Sequence, residues 1–389
     1  MPLFYSLKCP VKTALLSAGL SLGYYSAAAQ EVPPRTPVYP VPAPAPSDSI
    51  GVSEVGQEAE AREFAVPSVI GMGPSKGIVA HIERLSDFQI TTKTKSNTEG
   101  VADINTKTTV TKNSRAFIKA YAPLWNHPHL KVILGVNYDR EEFQFKNPNA
   151  SPFYRNLEDK GLKTLGAQLA AIRPIDEVHW YLARVKGELN GDYTSESSDL
   201  SFNDYLKMSG EFIYGWKRSA RFAWGIGAQL SYTFGRQSIY PVILYNRTWN
   251  EHWGVESLFP ARVTFRYNVN AKTLLLGGYS VDGLNYNIKL REPLPNNNLS
   301  TLIIRETEFR PRLRLEREIY DFLWFGIEGG YRYNASFNGF DYNGNSGFSL
   351  FRAGTRPRII DNTLGGAPYA SLEIFIVPPR KLLKRTMGK

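Results

Sequence analysis

The chain has 389 residues with 46 basic and 36 acidic side chains, a formal net charge of +10 and a mean hydropathy of −0.30. This hydropathy excludes a bundle of membrane-spanning helices, since each such helix needs roughly 18 consecutive apolar residues. Aromatic residues make up 13% of the chain and glycine occurs 32 times, which favours strands and turns over helices. Cys9 is the single cysteine, so the rest of the chain holds no disulfide and no cysteine metal ligand.

Residues 1–29 have the pattern of a secretory signal peptide. Lys8 and Lys12 precede the short apolar run 13–26, and the run is followed by three alanines that end at Ala29. Small residues at this position are typical of a cleavage site, and we expect cleavage near Ala29/Gln30. The rest of the chain is therefore expected to be exported.

The remaining chain divides by composition into three segments. Residues 30–75 begin with seven prolines within a short stretch and continue with small polar residues, which predicts an extended, poorly ordered linker. Residues 76–378 hold the regular apolar and polar alternation and are predicted to form one domain. Residues 379–389 form a basic C-terminal tail.

From residue 76 onward, apolar and polar residues alternate in a series of segments separated by turn residues. Because successive side chains of a strand point to opposite faces, this period of two predicts β-strands. The alternation is clearest at 222–234, where large apolar residues mostly alternate with small or polar ones. Short turns mostly alternate with longer polar connections, and aromatic residues gather near the strand ends.

These features predict an all-β protein, an antiparallel up-and-down transmembrane β-barrel with short periplasmic turns and longer extracellular loops. A sheet in lipid must close into a barrel, since every backbone polar group there must be bonded internally. The predicted strand number is about 12–14. Fourteen requires a turn at Phe259-Pro260, whereas the alternation runs unbroken through Pro260 and favours one continuous strand.

The segment 301–320 has seven consecutive charged residues in one phase of its alternation. The charged phase is predicted to face the lumen, and the other phase, which includes Phe309, Leu313 and Ile319, is predicted to face lipid. Arg317 breaks the apolar phase and is expected near an interface, where its charge reaches water. The predicted lumen charges, with neighbours on other strands, are Glu306, Glu308, Arg310, Arg312, Arg314, Glu316, Glu318, Glu328, Arg332, Arg262 and Arg266.

The stretch 240–267 contains a Pro–x–hydrophobic strand, the pattern W-x-x-E-x-L-F-P-A and an R-Y strand, and Gly283–Tyr286 follows it. In these pieces the chain resembles a family of bacterial outer-membrane barrels classed as a domain of unknown function, over roughly residues 76–378. The resemblance implies an outer-membrane location and a barrel fold, and it implies no activity and no functional residues. The chain departs from barrels that end on an aromatic residue, because it continues past Phe375 into the basic tail.

Candidate sites for chemistry are few. His127-Pro-His129 has no acidic or cysteine partner nearby, which argues against a metal site. The residues after Asp341 resemble the first half of a calcium loop, but Arg352 stands where the bidentate glutamate belongs. No segment presents Ser and His at an obvious strand spacing, so we expect no enzyme, no cofactor and no metal.

Two functions remain open, a passive pore or transport and solute-binding barrel with a charged lumen, and a closed structural or surface-interaction barrel. Opposite charges on adjacent strands would plug a small lumen, whereas in a wider lumen they would line a charge-selective path. A barrel hydrolase and a secreted soluble β-rich binding protein are weaker alternatives. The expected partners are outer-membrane lipid, lipopolysaccharide and the barrel-assembly machinery. Acidic residues interleaved with the basic ones argue against nucleic acid.

Overall fold

The structure is a computed structural model that describes residues 65–96, 99–194, 200–342, 348–349, 352–353 and 356–378. The predicted signal peptide, most of the predicted linker and the basic tail lie outside these residues, and the division into segments stays a prediction. The described helices are one 3₁₀ turn (Pro148–Ala150), α1 (Pro152–Lys160) and α2 (Phe202–Tyr205). Within this part of the chain, no helix is long and apolar enough to cross a membrane.

Strands make up most of the described chain. In chain order they are β1 (Ile78–Leu85), β2 (Phe88–Thr94), β3 (Ile104–His127), β4 (Leu130–Phe145), β5 (Leu162–Pro174), β6 (His179–Gly191), β7 (Leu206–Ser219), β8 (Phe222–Ser231), β9 (Ser238–Thr248), β10 (Trp253–Phe259), β11 (Arg262–Asn270), β12 (Thr273–Lys289), β13 (Thr301–Tyr320), β14 (Leu323–Asp341), β15 (Phe348–Ser349), β16 (Arg352–Ala353), β17 (Arg358–Leu364) and β18 (Ala367–Ile376).

The strands close into an antiparallel barrel, and this confirms the predicted fold class. Strands β3 to β14 pair in chain order, while β1 and β2 together form the first strand and β17 and β18 together form the last. At the end with the short turns, which we predict to be periplasmic, β1 joins β3 to β18. Nearer the other end, which we predict to be extracellular, β2 joins β3 to β17. The described strands therefore form a closed 14-stranded barrel, with β15 and β16 as a separate pair in the connection after β14.

The count of fourteen strands depends on the turn between β10 and β11. Leu258 pairs with Arg262, so the chain reverses at Phe259–Ala261, and the interpretation as one continuous strand was wrong. The paired residues are separated by an even number of positions. The in/out alternation therefore continues in phase through the reversal, and hydrophobic periodicity alone does not reveal this turn.

The extracellular end of the barrel is filled by a hydrophobic core. The apolar face of α1 lies inside it, where Phe153, Tyr154 and Leu157 have no exposed surface. Ser151 caps α1 by accepting a hydrogen bond from the Phe153 N–H at 3.3 Å. The core also contains inward-facing residues from many strands, among them Phe88, Ile90, Val110, Phe143, Phe145, Tyr286, Ile288, Leu302, Ile304, Phe337, Ile360 and Tyr369.

The barrel narrows above β8 to β11, because these strands are shorter than β7 on one side and β12 on the other. Strand β10 has seven residues and β13 has 20, which correspond to roughly 23 Å and 66 Å of extended chain. Beyond β7 and β11, the ends of β6 and β12 approach each other and form a bridge between Gly191 and Asn287. The hydrophobic core lies within this narrower part of the barrel.

Residues 65–77, here called the periplasmic segment, cross the end of the barrel that carries the short turns. The segment has no helix and, before β1, no strand, yet Ala65 and Val69 are buried. The sequence analysis placed residues 65–75 in the linker, because this stretch shows no periodic alternation of apolar and polar residues. Backbone N–H groups of the segment donate at Ala65 to the carbonyl of Asp176 (3.1 Å), at Ile70 to that of Ala220 (2.9 Å) and at Gly77 to that of Ile376 (2.7 Å).

Candidate functional site: the barrel lumen

The charged phase of β13 faces the lumen, as the alternation predicts. Glu306 and Glu308 are each 4% exposed and Arg310 is 7% exposed, whereas Leu313 on the opposite face is 74% exposed. The other predicted charges of β13, Arg312, Arg314, Glu316 and Glu318, lie on the same inward face. Arg317 is exposed on the outer face, close to the β13–β14 turn. Whether these residues form a solute path stays a prediction.

One side of the lumen is a packed network of ion pairs, here called the packed side. Arg314 Nε lies 2.8 Å from Glu316, its Nη1 lies 3.5 Å from Glu328, and its Nη2 donates to Glu373 of β18. Arg310 donates in the same way to Glu83 of β1. The network therefore joins β13, β14, β18 and β1 through side chains that are less than a tenth exposed.

Arg332 of β14 holds the neighbouring part of the packed side. Its Nη1 lies 3.2 Å from Glu308 and 3.4 Å from Glu141, and it donates to Asn113 Oδ1 at 2.7 Å. Arg332 is only 2% exposed. A buried guanidinium of this kind persists because several acceptors share its donors.

Two groups of the packed side were not predicted from the sequence. His81 of β1 stacks on Phe117 with ring centroids 4.3 Å apart, and its Nδ1 lies 3.3 Å from Glu373. Lys76, at the end of the periplasmic segment, places its Nζ 2.7 Å from Glu316 and 2.8 Å from Glu373. His81 and Glu83 are two positions apart, which places both side chains on one face of a strand, and this spacing could have indicated that His81 faces the lumen. Nothing in the sequence indicates a role for Lys76.

The opposite side of the lumen contains water-accessible charges, and we call this space the hydrated chamber. The side chains of Arg184 and Lys186 on β6 and of Arg312 on β13 are 35%, 33% and 30% exposed, although all three face inward. An inward-facing side chain with this exposure must border space that water reaches. Arg184 pairs with Glu211 at 2.8 Å and Lys186 pairs with Glu188 at 2.6 Å.

Of the two predicted lumen arginines on β11, Arg262 borders the hydrated chamber and Arg266 does not. Arg262 is exposed and interacts electrostatically with Arg184 and Arg312. Arg266 is fully buried, donates from Nη2 to Thr248 Oγ1 at 2.9 Å, and lies 3.6 Å from Glu256. A Cβ at position 254 would lie 2.2 Å from Arg266 Nη2, so Gly254 makes room for the guanidinium.

Other candidate residues act locally in turns. His179 Nδ1 lies 2.7 Å from Asp176 Oδ2, and this hydrogen bond lowers the pKa of Asp176 to about 2. His127 ends β3 in an exposed turn, and no group of three or more potential metal ligands occurs among the residues that the structure describes. Most of the calcium-like stretch after Asp341 lies outside the described residues.

Solved structures with a similar fold are distant from this chain. The toluene transporter TodX of Pseudomonas putida is 9% identical, with 78% of this chain and 90% of that chain covered and a TM-score of 0.29. A FadL homologue of Pseudomonas aeruginosa is 9% identical, with coverages of 77% and 90% and a TM-score of 0.31. The outer-membrane protease OmpT of Escherichia coli is 10% identical, with coverages of 80% and 100% and a TM-score of 0.24.

Comparison by sequence is more informative about the family. No curated protein matches the chain. A family model described as "Domain of unknown function (DUF6268)" matches residues 125–374, which lie within the region that carries the resemblance noted from the W-x-x-E-x-L-F-P-A pattern. The chain therefore belongs to the DUF6268 family, and its described residues form a closed antiparallel barrel.

Proposed function

We propose that this chain is a gated transport barrel of the outer membrane, which holds small polar solutes in the hydrated chamber. The observation that carries the proposal is the exposure of inward-facing charged side chains there, 35% for Arg184 against 3% for Arg332 on the packed side. A lumen built only for structural support would bury its charges on all sides. The proposal assigns no catalytic step to the barrel.

Gating is part of the proposal because the described residues offer no straight aqueous path along the barrel axis. The core around α1 and Phe337 fills the lumen at the extracellular end, and buried aromatic side chains exclude water from such a core. At the other end the periplasmic segment crosses the mouth. A permanently open pore does not fit this arrangement.

The β8–β9 connection, residues 232–237, is the part of the wall best placed to open. It lies above the short β10–β11 hairpin and contacts the longer strands β12 and β7. Asn285 Nδ2 of β12 donates to the Gly235 carbonyl at 3.3 Å, and Gln237 Nε2 donates to the Met208 carbonyl at 3.0 Å. Above β10 and β11 the wall therefore continues as a loop and not as paired strands, which costs less to displace.

Conductance of single barrels in planar lipid bilayers tests the proposal. We expect no steady open level for the wild type and a measurable conductance after deletion of residues 233–236. Deletion of the four exposed residues 99–102, in the β2–β3 connection, is the matched control and should leave the barrel closed. A constantly conducting wild type would contradict gating.

A closed structural barrel is the second candidate function, and the packed side favours it. Ion pairs there join β1, β14 and β18 to β13 and close that part of the lumen. This alternative predicts no conductance for the wild type, for the 233–236 deletion or for the 99–102 deletion. The conductance of the 233–236 deletion thus separates the two functions.

Location and partners follow from the proposed role. A barrel of this kind would be exported, assembled by the barrel-assembly machinery and surrounded by outer-membrane lipid and lipopolysaccharide. Exposed apolar residues such as Ile118, Leu313 and Ile374 form the outer surface that this environment requires. Fractionation of membranes should recover the protein with the outer membrane, and recovery as a soluble protein would contradict this location.

A further inference from the structure

We infer that the hydrated chamber binds small oxyanions, of the carboxylate or phosphate class, through Arg262 together with Arg184 and Arg312. The inference rests on the proposed function, because it names the solute class of the same chamber. It concerns binding and does not require passage through the membrane.

Three arginines from separated strands converge on the chamber. Arg262 opens β11, and its charge interacts with those of Arg184 on β6 and Arg312 on β13. On the intervening strand β12, the inward residue Gly278 pairs with both Arg312 and Thr264. Arg262 itself pairs with Ser280, so β12 places only a glycine and one small side chain between Arg262 and Arg312, and both guanidiniums can reach the same space.

The nearby carboxylates do not neutralise Arg262. Among the described residues, no carboxylate lies within 4.0 Å of its guanidinium. The acids with the strongest electrostatic interaction with Arg262 are Glu256 and Glu211. Arg266 lies 3.6 Å from Glu256, and Arg184 lies 2.8 Å from Glu211. Arg262 therefore has a positive charge that no ion pair compensates, in a space that water reaches.

Other groups around the chamber add to its suitability for an anion. The inward-facing Lys119 makes no described ion pair, and its Nζ lies 4.1 Å from the ring centroid of Phe117. Tyr121, whose hydroxyl is a hydrogen-bond donor, interacts electrostatically with both Arg184 and Arg262. A Cβ at position 135 would lie 2.8 Å from the Tyr121 ring, so Gly135 lets this ring lie against the wall.

Guanidinium chemistry selects the ligand class. A guanidinium presents donors in a planar fork that matches the oxygens of a carboxylate or a phosphate. Several cations around a small polar space attract multivalent anions most strongly, and the low dielectric of the wall increases the attraction. A small dicarboxylate and inorganic phosphate share this chemistry, and they serve as the two arms of the test.

The test is calorimetric titration of the purified barrel in a zwitterionic detergent with phosphate and, separately, with succinate. We expect at least one of them to bind the wild type, and Arg262→Gln to weaken that binding roughly ten- to a hundredfold, as for a lost charge-assisted hydrogen bond. Arg317→Gln, which removes an arginine from the outer face, is the matched control and should bind like the wild type. The anion that binds more tightly, succinate or phosphate, shows whether the chamber prefers carboxylates or phosphates.

Heat-modifiable gel mobility first establishes that each variant is folded, and Arg262→Lys provides a second variant that keeps the charge. Absence of binding in both arms, or equal binding by Arg262→Gln and the wild type, would overturn the inference. The two tests can also disagree. If anion binding depends on Arg262 but the 233–236 deletion does not conduct, the inference is supported and the transport function is wrong. Conductance without anion binding would leave the transport function and remove the inference.

Discussion

The packed side and the hydrated chamber use the same residue types with different results. Arg310, Arg314 and Arg332 each contact at least two carboxylates and are less than a tenth exposed. Arg184 contacts one carboxylate and Arg312 contacts one, and these side chains are about a third exposed. The number of carboxylates around each cation thus separates a plugged part of the lumen from a hydrated one.

The largest expected effect is on the packed side. Arg332→Ala leaves Glu308 and Glu141 buried without their shared partner, and removal of one member of a buried pair costs about 3–5 kcal/mol. Urea unfolding of the barrel reconstituted in lipid vesicles measures this loss. Arg317→Ala on the outer face is the control, and equal stability of the two variants would show that the network is not needed.

Phe337→Ala tests whether the core at the extracellular end is tightly packed. Phe337 is 1% exposed, and its ring centroid lies 6.2 Å from those of Phe143 and Phe153. Loss of the ring leaves a cavity and should lower the free energy of unfolding by about 3–5 kcal/mol. If unfolding shifts by less than about 1 kcal/mol, the core around α1 is not packed as described.

Leu313→Arg tests the outward orientation of the apolar phase of β13. Leu313 is 74% exposed on the outer face, where it would contact lipid. An arginine there should reduce stability in lipid by about 2–4 kcal/mol if the position lies near the midplane. Leu313→Ile is the control, and a stability of Leu313→Arg close to that of the control would contradict this orientation.

Arg312→Ala tests the contribution of an ion pair on the hydrated side. Arg312 lies 3.5 Å from Glu328 and is 30% exposed, and Arg314 still contacts Glu328 at the same distance after the change. Because water screens the pair, the loss of stability should be about 1 kcal/mol or less. The same unfolding assay applies, and a loss as large as that of Arg332→Ala would remove the distinction between the two regions.

The smallest effect is expected in the β5–β6 turn, which also anchors the periplasmic segment. The hydrogen bond from His179 lowers the pKa of Asp176 to about 2, below its unfolded value. The stabilisation is therefore present above the unfolded pKa and is lost as the pH falls through about 2. Asp176→Asn should unfold with less dependence on pH in acid than the wild type, and identical pH profiles would contradict this role.

Much of the barrel was predictable because strand periodicity is local. The inward charges of β13 and the outward Leu313 follow from the alternation alone. Along the inward face of β13, the residues change from apolar (Leu302 and Ile304) to charged (Glu306). This change in polarity marks where the core at the extracellular end stops, and it could have been read from the sequence. The β10–β11 turn was hidden because it preserves the alternation.

The remaining features depend on contacts between residues far apart in the chain. Nothing near Gly191 or Asn287 predicts that β6 and β12 meet, since their pairing depends on how short β8 to β11 are. The periplasmic segment lacks periodicity, and its order comes from hydrogen bonds to the barrel turns. Arg184 was visible as a polar residue in an alternating strand, but its nearness to Arg262 requires the closed barrel.

The difference between the two sides of the lumen is tested most directly by the reactivity of two matched cysteines. Ser209→Cys places a thiol on inward-facing β7 beside Lys186, and Ser371→Cys places one on the packed side, where Ser371 is 4% exposed. Both are made in a Cys9→Ser background and treated with a small charged thiosulfonate in detergent. The thiol at position 209 should react at least roughly tenfold faster, since a buried thiol reacts only when its surroundings open. Equal rates at the two positions would contradict a lumen divided into packed and hydrated regions.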